Sequence, residues 1–433
     1  MRNHLTLIIA LAACLIAVEA TPANDAAAAV TATATDNATV TPAWVERLPR
    51  DRPDVVISPS TGDTVGELVA NPSHPARMVL GYGDDSSQWL RVSQDNGRTW
   101  SPARSMPTSP RPLAGGPLLR YAADGQILYA AYGNIVTSTT DDGMTWSPPV
   151  EVLDREGCWD LGCDGINTFV VSPVTDQELY LLTYITEFDS HTYNTRYLIY
   201  RSKDGGSTWS LYNIICPWLA WTSECSVSSF ISDQSGHLLV NYMQDEYWIE
   251  SNQFTRKAVI AASTDDGSFA DLRVWNGDRS SAYPAWATGQ LAVGPRGIAH
   301  LIYVERVFNT GTIYHEWSRP PYRVWSPRVR LSDATDTMLK WAPTLIVQPC
   351  GRQAVMHAGW QARPVSTDEG ATVFYVRRLA APGHRWSSPI AVSDEPFPWG
   401  PTTAIAVGVR PFAAWAGTTS VQGSAIDPGI DCR

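Results

Sequence analysis

Charge is scarce in this sequence. Only 17% of the 433 residues are Asp, Glu, Lys or Arg, and acids outnumber bases 43 to 32, leaving a net charge of −11. A nucleic-acid partner asks for a basic track of Lys and Arg, so that class is excluded. Met (7) and Phe (9) are few. No long stretch repeats with a helical period, so a helix-rich body is excluded as well. Apart from Leu5 to Val18 there is no extended apolar run, and fourteen residues are short for a bilayer span. No cofactor motif is present, so no cofactor is expected.

Against those gaps stand 18 Trp and 17 Tyr, a large excess. Both carry a polar end on an apolar body and suit sheet walls and wet binding surfaces. The N-terminus reads as a signal peptide over residues 1–20. Met1 to His4 is a short positive region, Leu5 to Val18 is apolar, and Val18-Glu19-Ala20 fits a small-x-small cleavage site. Leu11-Ala12-Ala13-Cys14 also matches a lipobox, which would make Cys14 a lipid anchor. Residues 21–52, rich in Ala and Thr, cannot bury a core and read as a linker. The folded domain is assigned to residues 53–433. A secreted or cell-envelope location and a monomer are expected.

Seven cysteines are present, with Cys14 in the leader. Six remain, an even number that in an exported chain reads as disulfides. Proximity pairs Cys158 with Cys163 and Cys216 with Cys225, which leaves Cys350 for Cys432. Zinc is the competing reading of the close pairs. No His stands at ligand spacing beside either, so no metal is expected.

From Pro53 on, short apolar runs such as Met78-Val79-Leu80-Gly81-Tyr82 and Ile127-Leu128-Tyr129-Ala130-Ala131 recur between Gly, Asp, Ser and Pro. That texture reads as many short antiparallel strands, an all-β fold. An octet repeats among them: Ser93-Gln94-Asp95-Asn96-Gly97-Arg98-Thr99-Trp100, Thr139-Thr140-Asp141-Asp142-Gly143-Met144-Thr145-Trp146, and Ser202-Lys203-Asp204-Gly205-Gly206-Ser207-Thr208-Trp209. A decayed copy runs from Ser263 to Phe269, and fragments end at Trp325 and Trp386. The Asp accepts backbone N–H groups inside a tight turn, and the Gly supplies a positive φ. This octet resembles the Asp-box, or bacterial neuraminidase repeat, of sialidase-like β-propellers. The resemblance spans nearly all of residues 53–433 and implies blades rather than any one activity. Six turns, two further strands after the sixth, and an unplaced strand at Asp54-Val55-Val56-Ile57 give a seven-bladed propeller. Six blades is the alternative.

The resemblance places function on the face opposite the Asp-box turns. Between blades, that face receives Arg111, Trp159 and Asp164, Trp218, Trp221 and Glu224, Tyr283 and Trp286, Lys340 and Trp341, and Trp399. Within blades it receives Asp84 and Asp85, Glu187 and His191, Asp245 to Trp248, Glu305 and Arg306, and Trp360 with Arg363. Aromatics mixed with carboxylates suit sugar rings. Glu246 and Asp85 are the expected carboxylates acting on a ligand, with Arg306, Trp286, Trp341 and Asp164 expected to bind it. Each residue also has a structural reading: Trp286, Trp341 and Trp360 as blade packing, Asp84 and Asp85 as a turn cap, Asp164 bonded to its own backbone.

In sialidases an Arg-Ile-Pro motif supplies an Arg to the substrate carboxylate. The matching strand here reads Gly66-Glu67-Leu68-Val69, and Lys340-Trp341 stands where the nucleophilic Tyr is expected. Sialidase activity is therefore not implied. Two functions remain open. One is a propeller that binds an extracellular glycan or envelope protein. The other is a glycoside hydrolase or polysaccharide lyase with paired carboxylates in a central funnel.

Overall fold

The computed structural model describes residues 55–426, apart from 59–63, 85, 111–115, 153–164, 190–191, 217–221, 249–250, 279, 283, 308–309, 333–337, 351–352, 365–371, 380–384, 394–402, 408–409 and 417–419. The chain divides into residues Met1–Val45 and Glu46–Arg433, and every described residue lies in the second unit.

The described residues form seven antiparallel blades, six of them laid out from an inner to an outer strand in chain order. Blade 1 is Thr64–Ala70, Met78–Gly83, Gln88–Ser93 and Arg104–Ser105. Blade 2 runs from Leu118–Tyr121 to Val150–Glu151. Blade 3 runs from Gly165–Val171 to Ser210–Ile215, and blade 4 from Thr222–Ser232 to Phe269–Gly277. Blade 5 runs from Gln290–Val293 to Val329–Arg330, and blade 6 from Met338–Cys350 to Ile390–Ala391. Blade 7 takes Thr403–Val407, Pro411–Ala416 and Val421–Ala425 from the chain's end. Its outer strand is Val55–Ser58, with Val55 opposite Gly423. The strand left unplaced by the repeat count thus closes the ring, and an edge that would otherwise be open is paired.

The core is distributed among the seams. Among the described residues seven buried apolar clusters occur, one between each pair of neighbouring blades, from Val79, Leu90 and Leu119 between blades 1 and 2 to Ile57, Leu80 and Phe412 between blades 7 and 1. The second strand of a blade is covered on both faces, which is why Met78–Gly83 and Leu128–Tyr132 are buried throughout and read as unbroken apolar runs.

The repeated octets form the turns joining third and fourth strands. In blade 2, Asp141 Oδ1 accepts from Thr145 N at 2.9 Å and Oδ2 from Thr145 Oγ1 at 2.6 Å, while Gly143 N donates to Thr139 Oγ1 at 2.9 Å. Asp95 and Asp204 repeat the pattern with Thr99 and Thr208. Hydrogen bonds from the threonine hydroxyl and then its N–H hold the carboxyls of Asp141 and Asp204 down at about 2. Among the described residues no helix is long and apolar enough to cross a membrane.

Candidate functional site

The two faces of the ring differ. Asp-box turns occupy one. Interblade connections and the hairpins joining second to third strands occupy the other, and those hairpins are of unequal height. In blades 1 and 2 the paired strands have six and five residues. In blades 3 and 4 they have eleven, as in Leu179–Asp189 with Thr192–Ser202 and Leu238–Trp248 with Gln253–Ser263. Five extra residues at about 3.3 Å each raise these hairpins roughly 17 Å above blade 1. Blade 5, with nine-residue strands, continues the wall.

Blades 3 and 4 are further joined into one sheet. Ser223 pairs with Glu246 on one side and, in parallel, with Asn194 of blade 3 on the other. The Cys216–Cys225 disulfide, with a Cα–Cα distance of 6.2 Å, crosses the same seam. Both cysteines are buried. Cys350 is also disulfide-bonded; Cys158, Cys163 and Cys432 lie outside the described residues.

The second strand of blade 4 runs without a register break alongside its third, so its side chains alternate strictly. Val240 and Tyr242 enter the core shared with blade 3, and Leu239 enters the core shared with blade 5. Gln244, Glu246 and Trp248 continue the blade 3 side above the packed layer. Glu246 Oε1 accepts from Gln244 Nε2 at 2.7 Å, and Oε2 accepts from Thr255 Oγ1 at 3.4 Å. Trp248 is 37% exposed at the crest. On the opposite side of the same strand, Asp245 meets Arg256 at 3.4 Å and Tyr247 OH donates to Asn252 Oδ1 at 2.9 Å.

Trp286 sits on that opposite side, in the Ala285–Thr288 turn between blades 4 and 5. It is 7% exposed, and the Arg273 guanidinium covers its ring at 4.4 Å. Arg273 in turn pairs with Glu316 at 3.0 Å, and Glu316 takes a 2.6 Å bond from Tyr303. Trp286 therefore presents no open ring face and is separated from Glu246 by the blade 4 sheet. Arg306 lies at the hairpin end of the Ala299–Val307 strand of blade 5, and its side chain is outside what is described. Trp341, on the inner strand of blade 6, packs against the core shared with blade 7. Trp360 is buried and stacks on Phe374 at 6.1 Å. Asp84 caps its turn, accepting from Ser86 N at 2.8 Å and Ser87 N at 2.7 Å, and these bonds, the Ser86 hydroxyl's first, hold its carboxyl below the usual carboxylate range. Glu305 is held by Arg328 at 2.7 Å. Asp85 and Asp164 lie outside the described residues, as do Arg111, Trp218, Trp221, Tyr283 and Trp399.

Two features escape a linear reading. Lys340 is 1% exposed and donates to Gly311 O at 2.7 Å, bracing the blade 5 hairpin against blade 6. A central channel of about 860 Å³ is lined by the inner strands of all seven blades. Four of those strands break register, between Val65 and Leu68, Ile166 and Thr168, Val227 and Ser229, and Trp341 and Thr344. Such bulges re-aim side chains, and Glu67, Asn167 and Ser228 from them line the channel. Glu67 is spent on the neighbouring blade: its Oε2 accepts Leu119 N at 2.7 Å and pairs with Arg120.

Fold and turn chemistry together define an Asp-box β-propeller. The chain belongs to the BNR repeat-like domain family, whose pattern matches residues 68–294. Three solved propellers are similar in fold. An ulvan lyase, a polysaccharide lyase bound to a GlcA–Rha3S saccharide, is 10% identical with a TM-score of 0.47, over 86% of this chain and 96% of its own. The α-L-arabinofuranosidase of Fusarium graminearum is 15% identical with a TM-score of 0.45, over 73% and 94%. The α-L-arabinanase of Penicillium chrysogenum is 12% identical with a TM-score of 0.41, over 88% and 99%. No curated protein matches the chain significantly.

Proposed function

We propose that this protein is an exported propeller that binds a glycan, without cleaving it, on the face opposite its Asp boxes. The observation that carries the reading is the pairing of an exposed Trp248 with Glu246 on one side of a raised hairpin. An indole face stacks on a sugar ring, while the carboxylate and the nearby Thr255 meet its hydroxyls. Hydrolysis asks for two carboxylates aimed at one bond. Among the described residues of this face, Asp84, Asp245 and Glu305 already have structural partners, and Glu224 stands opposite Asp245, on the other side of the sheet from Glu246. Among them no second carboxylate is aimed with Glu246 at one bond, which supports binding over turnover. The disulfide supports an oxidising compartment.

A glycan array and a polysaccharide panel test this with the full chain and with Trp248→Ala and Glu246→Gln. Wild type is expected to bind at least one glycan and to release no new chain ends. Each variant is expected to keep the wild-type unfolding midpoint and bind about tenfold more weakly or worse. Wild-type binding by both variants would put the site elsewhere, and chain cleavage would make the protein an enzyme.

A further inference from the structure

Glu246 is a carboxylate surrounded by neutral donors. Its two partners are the Gln244 amide and the Thr255 hydroxyl. Described acids near the tips of the blade 4 and blade 5 hairpins meet cations: Asp245 meets Arg256 at 3.4 Å, and Glu305 meets Arg328 at 2.7 Å. Lys257 stands opposite Gln244 and so shares the Glu246 side, but its Nζ turns to Asp271 on the outer strand at 3.1 Å. Among the described residues, then, no cation neutralises Glu246. Two positions further on, the same side of the strand presents the Trp248 ring to solvent.

A free carboxylate beside an open indole is the pair that recognises an ammonium group. The carboxylate accepts charge-assisted hydrogen bonds, and the ring face attracts the cation. The net charge of −11 adds a field that draws cations and repels anions. We infer that the ligand of this site is a glycan bearing protonated amines, a polymer of 2-amino-2-deoxy sugars, in preference to an N-acetylated, neutral or uronate-containing one. This rests on the reading that the blade 4 crest binds a glycan.

The experiment is calorimetric titration of the full chain with the hexamers of glucosamine, N-acetylglucosamine, glucose and galacturonate. It is run just below and well above the titration of the sugar amine. The glucosamine hexamer is expected to bind at least about tenfold more tightly than the others below that titration, and to lose the advantage above it or in high salt. Glu246→Gln is expected to erase the preference and Glu246→Asp to keep part of it, both with wild-type unfolding midpoints. Trp248→Ala is expected to weaken every hexamer that binds. Equal or tighter binding of an uncharged or acidic hexamer, still sensitive to Trp248→Ala, overturns the amine assignment and leaves the glycan reading standing. Polylysine competing as well as the hexamer overturns the assignment in favour of a basic peptide. Binding of no hexamer, with no Trp248-dependent hit on the array, overturns both.

Discussion

Gly97 shows how much one atom decides in a repeat. Its φ is +83°, and a Cβ placed there would stand 2.2 Å from the Phe412 ring of blade 7. The Asp-box glycine thus serves the turn and also lets the turn seat on the preceding blade. Gly143 does the same against Leu90. Gly97→Ala is expected to destabilise by roughly 2–4 kcal/mol, from left-handed backbone strain plus overpacking, visible as a lower denaturant midpoint. The residue scale is also where sequence reasoning runs short. Trp286 and Trp248 are the same residue type, yet one is 7% exposed under an arginine and the other 37% exposed at a crest. Composition cannot separate them, because exposure depends on how far the neighbouring blade rises beside each.

At the scale of strands and hairpins, the turns were legible because Asp, Gly and Trp recur at fixed offsets. The unequal heights of the hairpins were not, since added length looks like ordinary alternation until the register is known. The seams also carry a titratable charge state that no motif announces. His300 and His315 are buried between blades 5 and 6, with ring nitrogens 3.1 Å apart, and Trp386 meets His315 edge to face at 5.2 Å. His357 bonds Tyr375 at 2.6 Å between blades 6 and 7. Burial, helped by Arg378, lowers His300 to about 4; burial, then His300 and Arg378, lower His315 well below its usual range; burial and Arg377 lower His357 to about 3. The folded protein keeps these rings neutral while the unfolded chain takes protons below about pH 6.5. Their stabilisation is complete above that pH and declines as the pH falls toward 4 and 3. The Asp-box carboxylates, at about 2, lose theirs only below the unfolded value of about 4. Denaturant midpoints are expected to fall between pH 6.5 and 4, and the fall is expected to shrink in His357→Gln. A flat profile through that window would show that the rings are solvated.

Across the whole molecule, blade number followed from counting turns and assigning the one strand that no turn explained. Seven seams with seven apolar clusters match that count. The fused sheet of blades 3 and 4 was not legible, because a single parallel pair at Asn194 and Ser223 makes it. Removing residues 1–58 takes the outer strand from blade 7 and leaves the Val421–Ala425 edge unpaired. That truncation is expected to lower the unfolding midpoint and to produce concentration-dependent oligomers in light scattering, as exposed edges do. A monomer of unchanged stability would show that closure is dispensable.

The same strand sets a schedule for folding. Val55–Ser58 leaves the ribosome before any blade exists, and its partner Val421–Ala425 is among the last strands to follow. Six blades can form from contacts close in sequence while the seventh waits. Only the final loop closure, the longest in the domain, joins the first described strand to the last. Until then the growing chain carries an unfinished sheet edge, so refolding is expected to end in a slow, dilution-favoured step that reports on ring closure alone.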